Sequence, residues 1–83
     1  MTQDEIAHRI KEDIATITGL PASTIGDDAS FRQDLGLDSL SLLELVVHLE
    51  YGFRIKVPEH ELAGLRTVAD TARYVQERVS AGA

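Results

Sequence analysis

Ser39 is flanked in a way that suits it to chemistry. Asp38 precedes it, and a stretch dense in Leu and Val follows from Leu40 to Leu49. That order predicts a helix with Asp38 as its N-cap and Ser39 as its first residue, exposed where unpaired amides create a positive potential. A hydroxyl in that position can receive a group, but it has no base to activate it. No Gly-x-Ser-x-Gly elbow is present, and the nearest histidine in sequence, His48, falls more than two turns along the same helix, so a serine hydrolase is rejected. Metal chemistry fares no better. His60 and Glu61 resemble the opening of a zinc helix, but Gly64 occupies the place of the second histidine. Asp27, Asp28, Asp34 and Asp38 lack the alternating ligands and closing glutamate of a calcium loop. No metal is expected, and His8, His48 and His60 are read as surface or boundary side chains.

The helix that starts at Ser39 is too apolar for one buried stripe. Leu42, Leu45, Leu49 and Phe53 make a full core stripe by themselves. Leu40, Leu43 and Val47 form a second line on the side of Ser39, with Glu50 one turn further on. From Gln33 through Phe53 the chain holds Asp34, Asp38, Glu44 and Glu50 but no Lys or Arg. An exposed apolar line flanked by acids is suited to a basic protein partner, the charges speeding encounter and the apolar contacts holding it. The alternative is that the line is also core, covered by a later helix or by the long loop.

The elements that would position Ser39 follow from helical spacing and caps. Thr2 and Glu5 form a capping box ahead of Ile6, Ile10, Ile14 and Ile17, predicting a first helix over residues 3–18. Gly19 should stop it in a left-handed conformation, with Leu20 folding back as a hydrophobic contact and Pro21 barring continuation. Residues 21–37 are a long loop in which Ile25, Phe31, Leu35 and Leu37 should be pinned to the core, Ser30 with Gln33 should cap one turn, and Gly36 should let the backbone swing. The second helix should run from Ser39 to about Tyr51, with Gly52 ending it and Phe53 anchoring to the core. Pro58 opens a short helix through Ala63, stopped by Gly64. Thr67 to Asp70 open the last helix, in which Val68, Ala72, Val75 and Val79 recur at helical spacing, and residues 80–83 should fray. The expected fold is all-α, one domain over residues 1–83: a small four-helix antiparallel bundle, three helices long and one short.

Composition agrees with one small globular domain: of 83 residues, 43% are apolar and 27% charged. Fourteen acids against eight Lys and Arg give a net charge of −6, which repels nucleic acid and anionic membranes. With no cysteine, thiol chemistry would require a cofactor. The first residues lack a basic targeting region and no apolar run spans a bilayer, so the cytoplasm is the expected compartment.

The register Phe31-x-x-Asp34-Leu35-Gly36-x-Asp38-Ser39-Leu40-x-x-x-Glu44-Leu45 resembles the acyl carrier protein family around its modified serine. The likeness continues through Val46, Leu49, Glu50, Phe53, Ile55 and Pro58 to Leu65-Arg66-Thr67-Val68 and Tyr74, covering nearly the whole chain. The resemblance implies that Ser39 receives a 4′-phosphopantetheine arm from coenzyme A by a separate magnesium-dependent phosphopantetheinyl transferase, and that Asp38 caps the helix beside it. It implies a carrier rather than an enzyme, holding acyl groups as thioesters for a ketosynthase, an acyltransferase or ligase and other acyl-processing enzymes, as a monomer. Leu40, Leu43, Glu44, Val47 and Glu50 are then the partner-binding residues, and Leu45, Val46 and Ile55 would line any cavity that takes up cargo.

Three departures distinguish this chain within that family. Ser41 stands where fatty-acid carriers often have an acid, Tyr51-Gly52 replace an acidic cluster, and Arg54 and Lys56 add positive charge just beyond. Leu62 to Val68 is similar to carriers of actinobacterial pathways, so specialised polyketide biosynthesis stands beside fatty-acid biosynthesis. Peptidyl carriers usually place Gly-Gly-His before the serine, where this chain has Gly36-Leu37-Asp38. The rival from another class is an unmodified helical adaptor that uses the Leu40, Leu43, Val47 line only to bind proteins.

Overall fold

A computed structural model describes residues 2–81 in backbone and 2–80 in side chains. Helix α1 spans Gln3–Thr18, α2 spans Ser39–Phe53 and α3 spans Val68–Ala81. A three-residue 3-10 turn (Ala22–Thr24) lies in the long loop and a six-residue 3-10 helix (Glu59–Gly64) lies between α2 and α3. No strand is present among the described residues; one isolated antiparallel bridge joins Ser30 to Thr67. The expected all-α bundle of three long helices and one short is therefore observed, with the short helix wound as 3-10 rather than α. The helix α3 includes Ser80 and Ala81, and the rest of the expected fray, Gly82 and Ala83, lies outside the described residues.

Each long helix begins where a side chain closes a free amide. The Thr2 hydroxyl accepts from the Glu5 amide at 3.2 Å and the Glu5 carboxylate accepts from the Thr2 amide at 2.9 Å, the reciprocal pattern of a capping box. The Thr67 hydroxyl accepts from the Asp70 amide at 3.1 Å. Helix α1 ends at Gly19, whose φ of 80° is costly for any residue with a Cβ. Leu20 departs from expectation: it is exposed rather than folded back, because Thr18 Oγ1 accepts its amide at 3.1 Å and directs the chain outward.

The end of α2 also departs from expectation. Gly52 does not terminate the helix, which continues through Phe53 to a left-handed C-cap at Arg54, φ 56°. The reason lies on α1, where the Arg9 guanidinium sits 4.7 Å over the Phe53 ring, a favourable cation–π arrangement. Gly52 leaves room for that guanidinium, which would stand 3.3 Å from a Cβ there.

The core is built from Ile6, Ile10 and Ile14 of α1, Leu45, Val46 and Leu49 of α2, and Val68, Ala72 and Val75 of α3, with Ile25, Phe31 and Leu37 of the loop. The loop is thus pinned as predicted. It is also hydrogen-bonded to the start of α3: the Phe31 amide donates to the Arg66 carbonyl at 2.8 Å and the Ala69 amide to the Asp27 carbonyl at 2.9 Å. Lys11 Nζ holds Asp27 from α1 at 2.7 Å. Of the predicted stripe, Leu45 and Leu49 are fully buried, while Leu42 and Phe53 at its ends are half-buried against the core.

Candidate functional site

Ser39 is the first residue of α2 and is exposed. The approach to it is fixed locally. Ser30 Oγ accepts the Gln33 amide at 3.3 Å and Asp34 Oδ2 accepts the Ser30 amide at 2.7 Å. The Leu37 amide then donates to the Phe31 carbonyl at 2.8 Å, and Gly36 turns the chain at φ 66°. With Phe31 and Leu37 buried on either side of that turn, the backbone reaches Asp38 in one set direction.

Asp38 then caps the helix. Its Oδ1 accepts the Ser41 amide at 2.8 Å, as a carboxylate N-cap should. The hydrogen bond from the Ser41 amide holds the Asp38 carboxyl below the ordinary aspartate range, with the Ser41 hydroxyl and the Leu40 amide adding to the effect. The carboxylate is therefore ionised near neutral pH and engaged by the backbone of the first turn.

Beside Ser39 a groove of about 370 Å³ runs between α2 and the 3-10 helix. Leu42, Leu43, Leu62 and Ala63 give it apolar walls, while Arg32 and Glu59 contribute charge. A second depression of about 570 Å³ shares Arg32, Leu42, Leu62 and Ala63 and extends to Phe31, Leu65 and Thr67. Sequence reasoning missed Arg32, Glu59, Leu62 and Ala63; the pairing of the loop with Thr67 brings them together, and no spacing in the sequence reports it. Leu45 and Val46, expected with Ile55 to line a cavity opened by cargo, are buried in the core, Ile55 packs against it beyond the far end of α2, and none of the three lines this groove.

The 3-10 wall is fastened to α3. Glu61 accepts the Tyr74 hydroxyl at 3.1 Å and pairs through both carboxylate oxygens with Arg78. The Arg78 guanidinium also lies 4.9 Å over the Tyr74 ring. Burial, then the bond to Glu61, pushes the Tyr74 hydroxyl above its ordinary pKa, so it stays protonated and donating.

The second line of α2 is exposed, Leu40 by 67%, Leu43 by 49% and Val47 by 48%, with Leu43 also forming the edge it shares with the groove. Tyr51, exposed by 83%, extends it one turn further, a continuation visible in the four-residue spacing from Val47. Glu44 is exposed beside this line. Glu50 behaves differently, being half-buried with its carboxylate accepting the Val57 amide at 3.0 Å. It holds the segment after α2 as well as carrying charge.

An exposed serine at a capped helix start, fastened to the bundle, presents a hydroxyl to which a group can be attached. The chain belongs to the phosphopantetheine attachment site family, whose pattern matches residues 8–75. It is 44% identical over 77 residues to the meromycolate extension acyl carrier protein of Mycobacterium leprae, covering 93% of this chain and 67% of that one. It is 42% identical over 82 residues to the acyl carrier protein of Rhodococcus erythropolis, covering 99% of this chain and 90% of that one. In structure it is similar to the apo doublet acyl carrier protein from prodigiosin biosynthesis, with a TM-score of 0.78 at 24% identity. That match covers 90% of this chain and 36% of the doublet.

The chain is thus an acyl carrier protein, a carrier whose partners are a phosphopantetheinyl transferase and acyl-processing enzymes. When bound, 4′-phosphopantetheine supplies the thiol that a chain without cysteine lacks. The site fits that group: a helix N-terminus favours a phosphate, and the groove beside Ser39 is open along α2. Among the described residues no helix is long and apolar enough to cross a membrane.

Proposed function

We propose that Ser39 is the residue that bears the 4′-phosphopantetheine group and that Asp38 serves it by fixing the start of α2. The observation that carries this is the exposure of Ser39 at the first position of a capped helix, at the mouth of an apolar groove. Leu40, Leu43, Val47 and Glu44 form the docking face for the transferase and for the ketosynthase, acyltransferase or ligase that handle the cargo, with Glu50 at its edge. The protein acts as a single-domain monomer in the cytoplasm and carries acyl intermediates of fatty-acid or polyketide biosynthesis. The name of the mycobacterial relatives, meromycolate extension acyl carrier protein, supports a role in acyl extension.

Incubation with coenzyme A, magnesium and a broad-specificity phosphopantetheinyl transferase should add one phosphopantetheinyl group to the intact mass, mapped to Ser39 by peptide fragmentation. Ser39→Ala should keep its helical circular dichroism and gain nothing. A wild-type chain that stays unmodified would make the α2 face that of an adaptor.

A further inference from the structure

Most cations of this chain are occupied. Arg9 lies over Phe53, Lys11 holds Asp27, Arg73 pairs with Asp70, Arg78 pairs with Glu61, and the Arg66 Nε–H donates to the Ala63 carbonyl. Arg32, Arg54 and Lys56 form no hydrogen bond, ion pair or cation–π contact among the described residues. Arg54 and Lys56 lie together beyond the end of α2. Arg32 stands apart from them, in the groove that opens at Ser39.

Its placement is fixed by what surrounds it. Phe31, immediately before, is buried to 1% exposure and donates its amide to Arg66. The turn that follows is closed by the Ser30–Asp34 and Ser30–Gln33 hydrogen bonds. The backbone of Arg32 therefore cannot drift, and its side chain lines both depressions where they share Leu42, Leu62 and Ala63. The other charges near Ser39 are Asp38 beside it and Glu59 across the groove, both of which repel an anion attached to the serine. Within that groove Arg32 is the one cation and Glu59 the one carboxylate, so a phosphodiester on Ser39 would be a further anion open to it.

We infer that Arg32 pairs with the phosphodiester through which the prosthetic group is joined to Ser39, and so turns the arm toward the groove rather than away from the protein. The inference rests on the reading of Ser39 as the attachment residue. Guanidinium suits the role because its planar fork binds phosphate oxygens bidentately and stays charged at every working pH. Arg32 offsets the repulsion from Asp38 and Glu59, and the first turn of α2 adds its own dipole on the other side of the phosphate. Arg32 is a positioning residue: it touches the linkage and not the acyl group that reacts.

The test is nuclear magnetic resonance on wild type, Arg32→Gln and Arg32→Lys, each loaded with unacylated phosphopantetheine and checked by intact mass, with Arg66→Gln, in the adjoining depression that Arg32 also lines, as a control. In the wild type, loading should shift the Arg32 Nε–H resonance. The phosphorus resonance should differ from that of the same protein unfolded in urea. Arg32→Gln should bring the folded phosphorus resonance most of the way to the unfolded value and raise the mobility of the arm's amides. Arg32→Lys should restore part of the difference, and Arg66→Gln should leave it intact. A fully loaded Arg32→Gln protein with unchanged phosphorus shift and arm mobility would overturn the pairing. So would an effect of Arg32 that emerges only when the arm carries a carboxylated acyl group, since the cargo would then be its counterpart. Absence of the mass gain, or a gain mapped away from Ser39, overturns the reading of Ser39 itself and is recognised before any resonance is measured.

Discussion

Leu43 and Leu45 lie two residues apart on α2 and face opposite ways, so truncating each to alanine separates docking from folding. Leu45 is 1% exposed, and Leu45→Ala should cost about 2.7–5.0 kcal/mol, the transfer loss plus the cavity left behind. Leu43 is 49% exposed. It forgoes only about half of a leucine's burial, and solvent fills the space it leaves, so Leu43→Ala should cost about 1 kcal/mol. For a domain of this size each kcal/mol moves the melting temperature by about 4–8 °C. Leu43→Ala should therefore melt about 4–8 °C below wild type, and Leu45→Ala about 11–40 °C below. Against a total stability of about 4–12 kcal/mol, the second change brings the chain close to unfolding. The order reverses in the loading assay. Leu43→Ala should reduce kcat/KM of the transferase about fivefold or more, as truncating an interface anchor does. Leu45→Ala, assayed cold where it is still folded, should load near the wild-type rate. Urea and thermal unfolding by circular dichroism, alongside loading followed by intact mass, measure both quantities on the same samples. Equal destabilisation by the two variants would show that the exposed line is core. Unchanged loading of Leu43→Ala would remove it from the docking face.

Two charge changes extend the test. Glu44→Lys should slow loading at low ionic strength with no loss of stability, and the difference should shrink toward about 1 M salt as screening sets in. Glu50→Lys should in addition lower stability by about 1–2 kcal/mol, because the Val57 amide loses its acceptor, whereas Glu50→Gln keeps an acceptor and should unfold close to wild type. The cap gives a pH dependence. Asp38 has a folded-state pKa below its unfolded one, so the stability it contributes is complete above the unfolded value and is lost as pH falls through the folded value. The melting difference between wild type and Asp38→Ala should be largest near neutrality and close only as the pH falls below the folded-state value, itself under the ordinary aspartate range, and a difference that persists in stronger acid would assign it to packing rather than to the carboxylate.

What the sequence made legible was local. The capping box at Thr2 and Glu5, the left-handed Gly19 and Gly36, the Asp38 cap and the exposed Leu40, Leu43, Val47 line each depend on residues within a turn or two of one another. Ser39 stands out in the sequence because its immediate neighbours mark it. The misplaced features depend on contacts between distant segments. Gly52 reads as a terminator until Arg9 from α1 comes over Phe53. Glu50 reads as a surface charge until the Val57 amide folds back onto it. The groove beside Ser39 takes its walls from the loop, α2 and the 3-10 helix, and no period in the chain brings Arg32 and Leu62 to the same place.

That division bears on how such a small chain can carry cargo. A bundle of this size has little stability to give up, and its core is closed around Phe31, Leu45 and Val75. The seam already present beside Ser39 offers an arm a resting place that needs no opening of that core. The seam's lighter-packed side is the 3-10 helix, which contributes no fully buried residue and is held by half-buried Leu62 and by Glu61 to Tyr74 and Arg78. Hydrogen bonds and a half-exposed ion pair are each worth about 1 kcal/mol or little more, far less than the apolar contacts that fix α1, α2 and α3. The wall nearest Ser39 is thus the part of the molecule that can shift at least cost, while the loop and cap that aim Ser39 itself are bound into the core.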